Sequence, residues 1–332
     1  MKVKHNLPFD KKRKRIVLKK SKTNPNYGKK PEELTVEDLL KNSWVNLDKP
    51  SGPTSHQVDS WVKKILKTEK IGHSGTLDPK VTGVLPIGIG NATKILQFLL
   101  PAGKEYVALM KLHKDIEEKE IIDVCKSFVG KITQVPPVRS AVKRRKRKRT
   151  IYYIDILQIK DRNVLLKIGC ESGTYIRTLV VSIGKKLKTN AHLVKLRRTR
   201  VGHINETNSI YLQDLKDAIV FYKDDEDESY LKEILKPVEK ILDYLPKIII
   251  SDSAVDALCH GANLMIPGVV EIDSDLKKDD SSLVKTLKGE AVAVVKMIFS
   301  TEDIVRKKKG ECAVLEKVIM KKDTYPSVWK KP

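Results

Sequence analysis

The stretch Gly72-His73-Ser74-Gly75-Thr76-Leu77-Asp78-Pro79, followed by Thr82-Gly83, constrains the fold of this chain more than any other feature. Two glycines relieve the steric limits on φ and Pro79 fixes the backbone after the acid, so Asp78 is held on a preset turn rather than a mobile strand. Such a loop suits the floor of a cleft. An Asx turn or a helix cap is the simpler alternative, and the octapeptide alone leaves both readings open.

The motif GHSGTLDPKVTG resembles the signature of the TruB/dyskerin family of RNA pseudouridine synthases, in which this aspartate is the essential residue. Further motifs follow in the family's order, so the resemblance covers roughly Leu39 to Trp329. They are LDKPSGPTSH (Leu47 to His56), PAGKEYVALMKLH (Pro101 to His113), VPPVRSAVKRR (Val135 to Arg145), GTYIRTL (Gly173 to Leu179) and LRRTRVG (Leu196 to Gly202).

The charge balance predicts a polyanionic partner. With 332 residues, the chain is long enough for about two domains, and its 65 basic against 42 acidic residues give a net charge of +23. On charge alone RNA, DNA and an anionic membrane all remain open. No apolar run reaches the roughly eighteen residues needed to span a bilayer, and the N-terminus lacks a hydrophobic signal core. We expect a soluble cytoplasmic protein, nucleolar if the source is eukaryotic.

The cysteine and histidine spacing indicates neither a metal site nor a cofactor. Cys125, Cys170, Cys259 and Cys312 form no CxxC pair and are predicted to be core thiols. The seven histidines lack HxxxH or HExxH spacing, so we expect catalysis without a metal. A dinucleotide site at Gly88-Ile89-Gly90 is not favoured, because Thr93 stands where GxGxxG needs its third glycine.

The order of predicted elements favours an α+β fold. Strands interleave irregularly with helices, which indicates a largely antiparallel mixed sheet flanked by helices rather than a doubly wound one. We predict a basic N-terminal arm over residues 1–34, a catalytic domain over 35–245 with a thumb loop at about 133–149, and a β-rich module over 246–325. This module resembles a PUA domain, a small RNA-binding barrel, and the family resemblance implies that the arm packs near it.

Three local patterns predict specific elements. Thr54 with Gln57 forms a capping box before a helix whose apolar face comprises Val58, Trp61, Val62, Ile65 and Leu66. Alternation predicts strands over Lys104 to Leu112, Ile151 to Ile159 and Val164 to Cys170. A second amphipathic helix carries Ile176, Leu179, Val180, Ile183 and Leu187 on one face.

The resemblance assigns the chemistry to Asp78, as nucleophile or base, and makes Arg177 its partner. A carboxylate in a pocket that excludes water tends to protonate, so it needs a nearby cation to stay ionised. Arg177 falls in the first turn of a predicted helix, where a positive charge opposes the macrodipole unless an acid pairs with it. An exposed arginine tolerated by screening is the alternative for Arg177 taken alone.

Five further residues match the family's pocket. Tyr106 resembles the tyrosine that stacks on the flipped-out uracil, Tyr175 another pocket tyrosine, and His73 the histidine that stabilises the flipped geometry. Leu196 resembles the apolar residue over the pocket, and Lys49 a supporting residue. Each has a plainer alternative as a core or structural side chain. Lys188-Thr189-Asn190 departs from a loop that is usually glycine-rich in the family, which weakens the assignment of Leu196.

Seven consecutive basic residues run from Lys143 to Arg149. Their position after Pro136-Pro137 resembles the family's thumb loop, so we expect phosphate contacts from Lys143, Arg144, Arg145 and Arg147. A nuclear address is the rival interpretation.

The resemblance is to the archaeal-type branch, marked by PPVRSAVKRR, Asp252-Ser253-Ala254-Val255 and Asp323-Thr324-Tyr325-Pro326. It implies a monomeric catalytic subunit that modifies tRNA, at uridine 55 of the TΨC loop, or rRNA guided by a box H/ACA RNA. The implied partners are these RNAs, two small H/ACA proteins on the catalytic domain and a kink-turn-binding protein, with no membrane. The alternatives are a non-catalytic RNA-binding scaffold and an unrelated RNA transferase, which would need a donor site.

Overall fold

The computed structural model describes residues 7–8, 10–136 and 145–327. Strands β1 to β17 are, in chain order, Arg15–Val17, Asn42–Lys49, Ile71–His73, Thr82–Gly90, Lys104–Leu112, Gly130–Gln134, Arg147–Lys160, Asn163–Cys170, Ala191–Val201, Ile204–Asn205, Lys236–Pro237, Lys247–Ile250, Leu264–Met265, Val269–Asp273, Ser281–Thr286, Ala291–Met297 and Glu311–Val318. Helices α1 to α9 are Val36–Lys41, Ser55–Leu66, Leu96–Leu99, Glu118–Lys126, Ile176–Lys186, Leu212–Asp224, Ser229–Ile234, Asp252–Cys259 and Thr301–Arg306.

The chain divides into two compact units. The first contains Trp44–Ile234 together with the described residues up to Asp10, and the second contains Lys11–Ser43 and the described residues from Leu235 onward. None of the helices in the described ranges is long and apolar enough to cross a membrane.

The sheet of the first unit runs in the order β2-β4-β9-β5-β8-β7-β6, with β3 against β4 and β10 against β9. Strands β5 to β9 pair antiparallel, whereas β4 and β9 run parallel. Ala108, Met110 and Leu112 of β5 are buried on one face, as the alternation predicts, and α5 packs its apolar stripe into the same core. The predicted α+β fold with a largely antiparallel sheet is thus confirmed.

Helix α2 begins as predicted but buries a narrower face. The capping box of Thr54 and Gln57 is formed, and Val58, Val62 and Leu66 are buried. The prediction was wrong for Trp61, which is 42% exposed. At about 100° per residue, Trp61 lies at the flank of the stripe that the other three define, and its ring reaches solvent.

The second unit is built on a sheet in the order β1-β14-β12-β15-β16-β17-β13. Strand β12 runs parallel to β15, and β14 pairs antiparallel with both β12 and β1. The three residues of β1 belong to the basic arm, so part of the arm forms an edge strand of this sheet. Between Lys247 and Val318 this unit contains strands β12 to β17 and the helices α8 and α9.

Candidate active site

Asp78 lies on the loop between β3 and β4, and backbone and side-chain hydrogen bonds fix this loop along its length. The amide of Ser74 donates to the carbonyl of Pro86 at 2.9 Å, and the amide of Val81 donates to the carbonyl of Asp78 at 3.0 Å. The buried residue Leu77 is bound through both its amide and its carbonyl to the hydroxyl of Ser55, at 2.9 and 3.2 Å. The first residue of α2 therefore anchors the loop one position before the acid.

Lys49 holds the segment that follows Asp78. Its side chain is fully buried, and Nζ donates to the carbonyls of Pro50, Pro79 and Val81 at 2.8, 3.1 and 3.0 Å. Burial lowers the pKa of Lys49, and the charge of Asp78 acts in the opposite direction. The predicted supporting residue thus ties together three backbone oxygens around the loop.

The loop brings Asp78 to Arg177 of α5. Oδ2 of Asp78 accepts from Nη2 of Arg177 at 2.9 Å, and the two side chains are 61% and 58% exposed. A pair this exposed contributes about 0.2–1 kcal/mol to folding, because water screens it. Among the described residues, none encloses these side chains in the water-excluding pocket that motivated the pairing, and the pair is open to a ligand from solvent.

Tyr106 and Leu196 lie on neighbouring strands of the sheet. Tyr106 of β5 pairs with Arg198 of β9, and Ala108 pairs with Leu196. Both predicted pocket residues are half-buried and pack against the core of the first unit. Burial raises the pKa of the Tyr106 phenol, so the side chain stays neutral near physiological pH. A neutral aromatic ring at this position suits stacking on a base.

Tyr175 precedes the first residue of α5 and is held by a residue that sequence reasoning missed. The side chain of Gln134, at the end of β6, accepts from the amide of Tyr175 at 3.0 Å and donates to its carbonyl at 3.1 Å. Gln134 is buried, and its two bonds fix the start of the helix that carries Arg177. The sequence offers no local signal for this contact, because the residues are 41 positions apart.

His73 belongs to a cluster that joins two elements. Its Nδ1 lies 2.6 Å from Oδ2 of Asp59 on α2, and its Nε2 lies 3.2 Å from the hydroxyl of Thr76 in the loop. The ligand atoms of His56, Asp59 and His73 lie within 4.8 Å of one another, a nitrogen and oxygen set of the kind that holds zinc. Sequence spacing could not show it, because the third residue comes from β3. Asp256, His260 and Asp323 form a second such cluster in the second unit.

The basic run is described only in part. Lys143 and Arg144 lie outside the described residues. Arg145 is exposed, whereas Arg147 is half-buried and opens β7 opposite Gln134. Strand β7 therefore begins four residues before the predicted start at Ile151. The side chain of Arg145 is therefore accessible to solvent, whereas Arg147 is part of the sheet.

The loop that lacks the family's glycines adopts the backbone that glycine favours. Lys188 and Asn190 have φ of 52° and 115°, in the left-handed region. Strand β9 begins directly after this loop and carries Leu196 in its middle. The substitution therefore leaves the strand that places Leu196 intact.

Four domain families of known proteins match this chain. The profile of the TruB family pseudouridylate synthase N-terminal domain matches residues 63–176, and that of the tRNA pseudouridylate synthase B C-terminal domain matches 177–243. A PUA domain matches residues 246–319 and a DKCLD (NUC011) domain matches 4–59.

Among individual proteins, a probable tRNA pseudouridine synthase B of Methanopyrus kandleri is 49% identical over 97% of this chain and 96% of its own length. A chain in the crystal structure of a Cbf5-Nop10-Gar1 complex matches with a TM-score of 0.93 at 48% identity, covering 97% of this chain and 99% of that one. A chain in the structure of an H/ACA RNP bound to a substrate RNA containing 2'-deoxyuridine matches with a TM-score of 0.92 at 46% identity, covering 98% and 100%.

The fold and the matched domains define an isomerase that modifies uridine in RNA. The chain belongs to the TruB family of pseudouridylate synthases.

Proposed function

We propose that this protein isomerises uridine to pseudouridine in RNA with Asp78 as the catalytic nucleophile or base. The reaction breaks the N-glycosidic bond, rotates the detached uracil and rejoins it to ribose through carbon. It therefore requires at least one carboxylate that can act as nucleophile or base. The observation that carries the proposal is the Asp78–Arg177 pair, exposed on a loop that Lys49 and Ser55 hold from beneath.

The surrounding residues take roles that follow from their positions. Arg177 orients the carboxylate of Asp78 through the hydrogen bond that joins them. Tyr106 offers its ring to the unstacked uracil, while Tyr175, Leu196 and His73 complete the wall of the site. Lys49 orients the loop without touching RNA, because its ammonium is fully buried among three carbonyls.

The RNA and protein partners follow from the relatives. One similar chain is named as a tRNA pseudouridine synthase, and others were solved in a Cbf5-Nop10-Gar1 complex and in an H/ACA RNP with substrate RNA. We therefore propose tRNA, at uridine 55, and guided rRNA as substrates. The proposed assembly contains a box H/ACA guide RNA, two small proteins on the catalytic domain and a kink-turn-binding protein.

The test measures tritium release from RNA labelled at uracil C5. Asp78→Asn should abolish release while RNA binding survives, and Asp115→Asn, a change at an exposed residue outside the site, should retain it. Release by Asp78→Asn at the wild-type rate would reject the catalytic role of Asp78. A second function, the non-catalytic scaffold, predicts no pseudouridine even for wild-type protein with guide and partners present.

Mapping pseudouridine in unmodified tRNA, with and without the guide particle, separates standalone from guided activity. Binding should weaken steeply as salt rises if Arg145 and its basic neighbours contact phosphates, since each contact releases counterions. A binding constant that is insensitive to salt would contradict phosphate contacts from this segment.

A further inference from the structure

Arg198 of β9 is a buried cation whose hydrogen-bond partners are neutral. Its side chain is 1% exposed, Nε donates to the carbonyl of Val84 at 2.8 Å and Nη2 donates to the carbonyl of Gly75 at 3.0 Å. Among the described residues, no carboxylate lies within ion-pair distance of it. Burial lowers the pKa of this guanidinium, and the phenol of Tyr106 acts in the opposite direction.

Core stability alone does not explain a charge in this position. Burying an ion costs free energy that neutral partners repay in part, and an apolar side chain of similar volume often serves a core as well or better. Buried charges of this kind concentrate at functional sites, where geometry matters more than stability. The parts of the site that the guanidinium links explain its presence better than core stability does.

The three partners of Arg198 lie on three separate parts of the proposed active site. Gly75 is in the loop three residues before Asp78, Val84 is in the strand that follows the loop, and Tyr106 is on β5 directly opposite Arg198. The planar guanidinium presents its donors in a rigid fork, so its bonds to Gly75 and Val84, made from the position opposite Tyr106, fix the loop relative to β5. A lysine ammonium at this position could not reproduce that fork.

We propose that Arg198 is a positioning residue that locks the Asp78 loop and the Tyr106 ring into one relative geometry. The inference rests on the proposed function, since it assigns Arg198 the task of aligning the reacting carboxylate with the base that Tyr106 stacks on. Arg198 itself touches no substrate, because it is buried beneath both.

The test compares Arg198→Lys with Arg200→Lys in the full chain, on the RNA substrate and with the partners for which wild-type activity is found. Arg200 is on the same strand and pairs with Asp10, so it is a matched control outside the site. At a temperature where both variants are folded by circular dichroism, Arg198→Lys should slow single-turnover tritium release about 10²-fold, the usual cost of a misplaced reacting group. The Kd for RNA should stay near the wild-type value, and Arg200→Lys should keep the wild-type rate.

A double-mutant cycle with Tyr106→Phe tests the link to the phenol. This change removes the hydroxyl and keeps the ring, so Arg198→Lys should slow the reaction less in the Tyr106→Phe background than in the wild type. Independent effects of the two changes, equal slowing by both arginine variants, or a wild-type rate for folded Arg198→Lys would each overturn the inference. Failure of the proposed function looks different, since only then does Asp78→Asn keep its activity.

Discussion

The exposed rim of the proposed site consists of Asp78 on its loop and Arg177 on α5, which are both more than half exposed and pair with each other. Lys49 and Arg198, which form the base and hold the loop from its buried side, donate to neutral oxygens, and so does the buried Lys104, whose charge interacts with that of Arg198. An exposed ion pair can exchange its partners for a ligand at little cost, whereas a buried cation that loses its acceptors is left without solvation. The difference separates the groups that can do chemistry from those that hold them in place.

The largest effect on stability is expected for Gly83→Ala, where the loop joins β4. A Cβ on Gly83 would lie 2.1 Å from the carbonyl oxygen of Arg198, and φ is +106°. Overpacking and a left-handed backbone together should cost about 3 kcal/mol or more in the free energy of unfolding, measured by urea denaturation. Gly75→Ala is the matched control, with φ of +86° but no atom within 3.7 Å of its Cβ, and should cost about 1–2 kcal/mol. Equal losses would show that the contact with β9 is unimportant.

The second effect concerns the buried base. Lys49→Met removes three hydrogen bonds and leaves the carbonyls of Pro50, Pro79 and Val81 without their shared donor. We expect a loss of about 3 kcal/mol in the free energy of unfolding. Lys63→Met, which breaks only an exposed pair with Glu69, should change it by less than about 0.5 kcal/mol. Similar losses for the two lysines would remove the distinction between buried and exposed cations.

The third effect is a dependence of stability on pH. Lys104 donates to the carbonyls of Leu100 and Ala102, and burial, with Arg198 nearby, lowers its pKa to about 7. The unfolded chain, with a lysine pKa of about 10.4, therefore binds more protons than the folded protein between pH 7 and 10. Stability should rise with pH across this range, by at most about 1.4 kcal/mol per pH unit from this group.

Thermal unfolding at a series of pH values checks this sign. Lys104→Met should show a flatter rise in stability between pH 7 and 9.5 than the wild type, because the titrating amine is gone. Identical slopes for the two proteins would mean that Lys104 keeps an ordinary pKa in the fold.

Local sequence patterns predicted the helices, strands and loop that carry the site. They did not predict contacts between residues that are far apart in the sequence. The loop around Asp78, strand β5 and the apolar face of α5 follow from glycine placement and periodicity, which act over a few residues. Arg177 was assigned to Asp78 by resemblance, since nothing local links residues 99 positions apart. Trp61 was misplaced because periodicity does not fix the width of a buried stripe.

The base of the site was the least predictable part. Ser55, Gln134 and Arg198 act on backbone amides and carbonyls, which every residue carries, so the sequence holds no partner to search for. Asp59 and His73 meet only because α2 packs beside β3. Sequence motifs therefore predict the candidate catalytic residues of this chain, whereas the residues that hold them in position are found only in the folded structure.

The smallest effect on stability is expected at the rim, for Arg177→Gln. The pair with Asp78 is exposed and the arginine lies in the first turn of α5, where a cation opposes the helix dipole, so the free energy of unfolding should change by less than about 0.5 kcal/mol. Single-turnover tritium release should nevertheless fall about 10²-fold, since the cation that orients Asp78 is lost. Arg162→Gln, which breaks an exposed pair with Asp115, should leave both quantities unchanged. If Arg177→Gln instead lowered the free energy of unfolding as much as Lys49→Met, the exposed pair would have a structural role like that of the buried lysine. The contrast between exposed and buried cations would then be wrong.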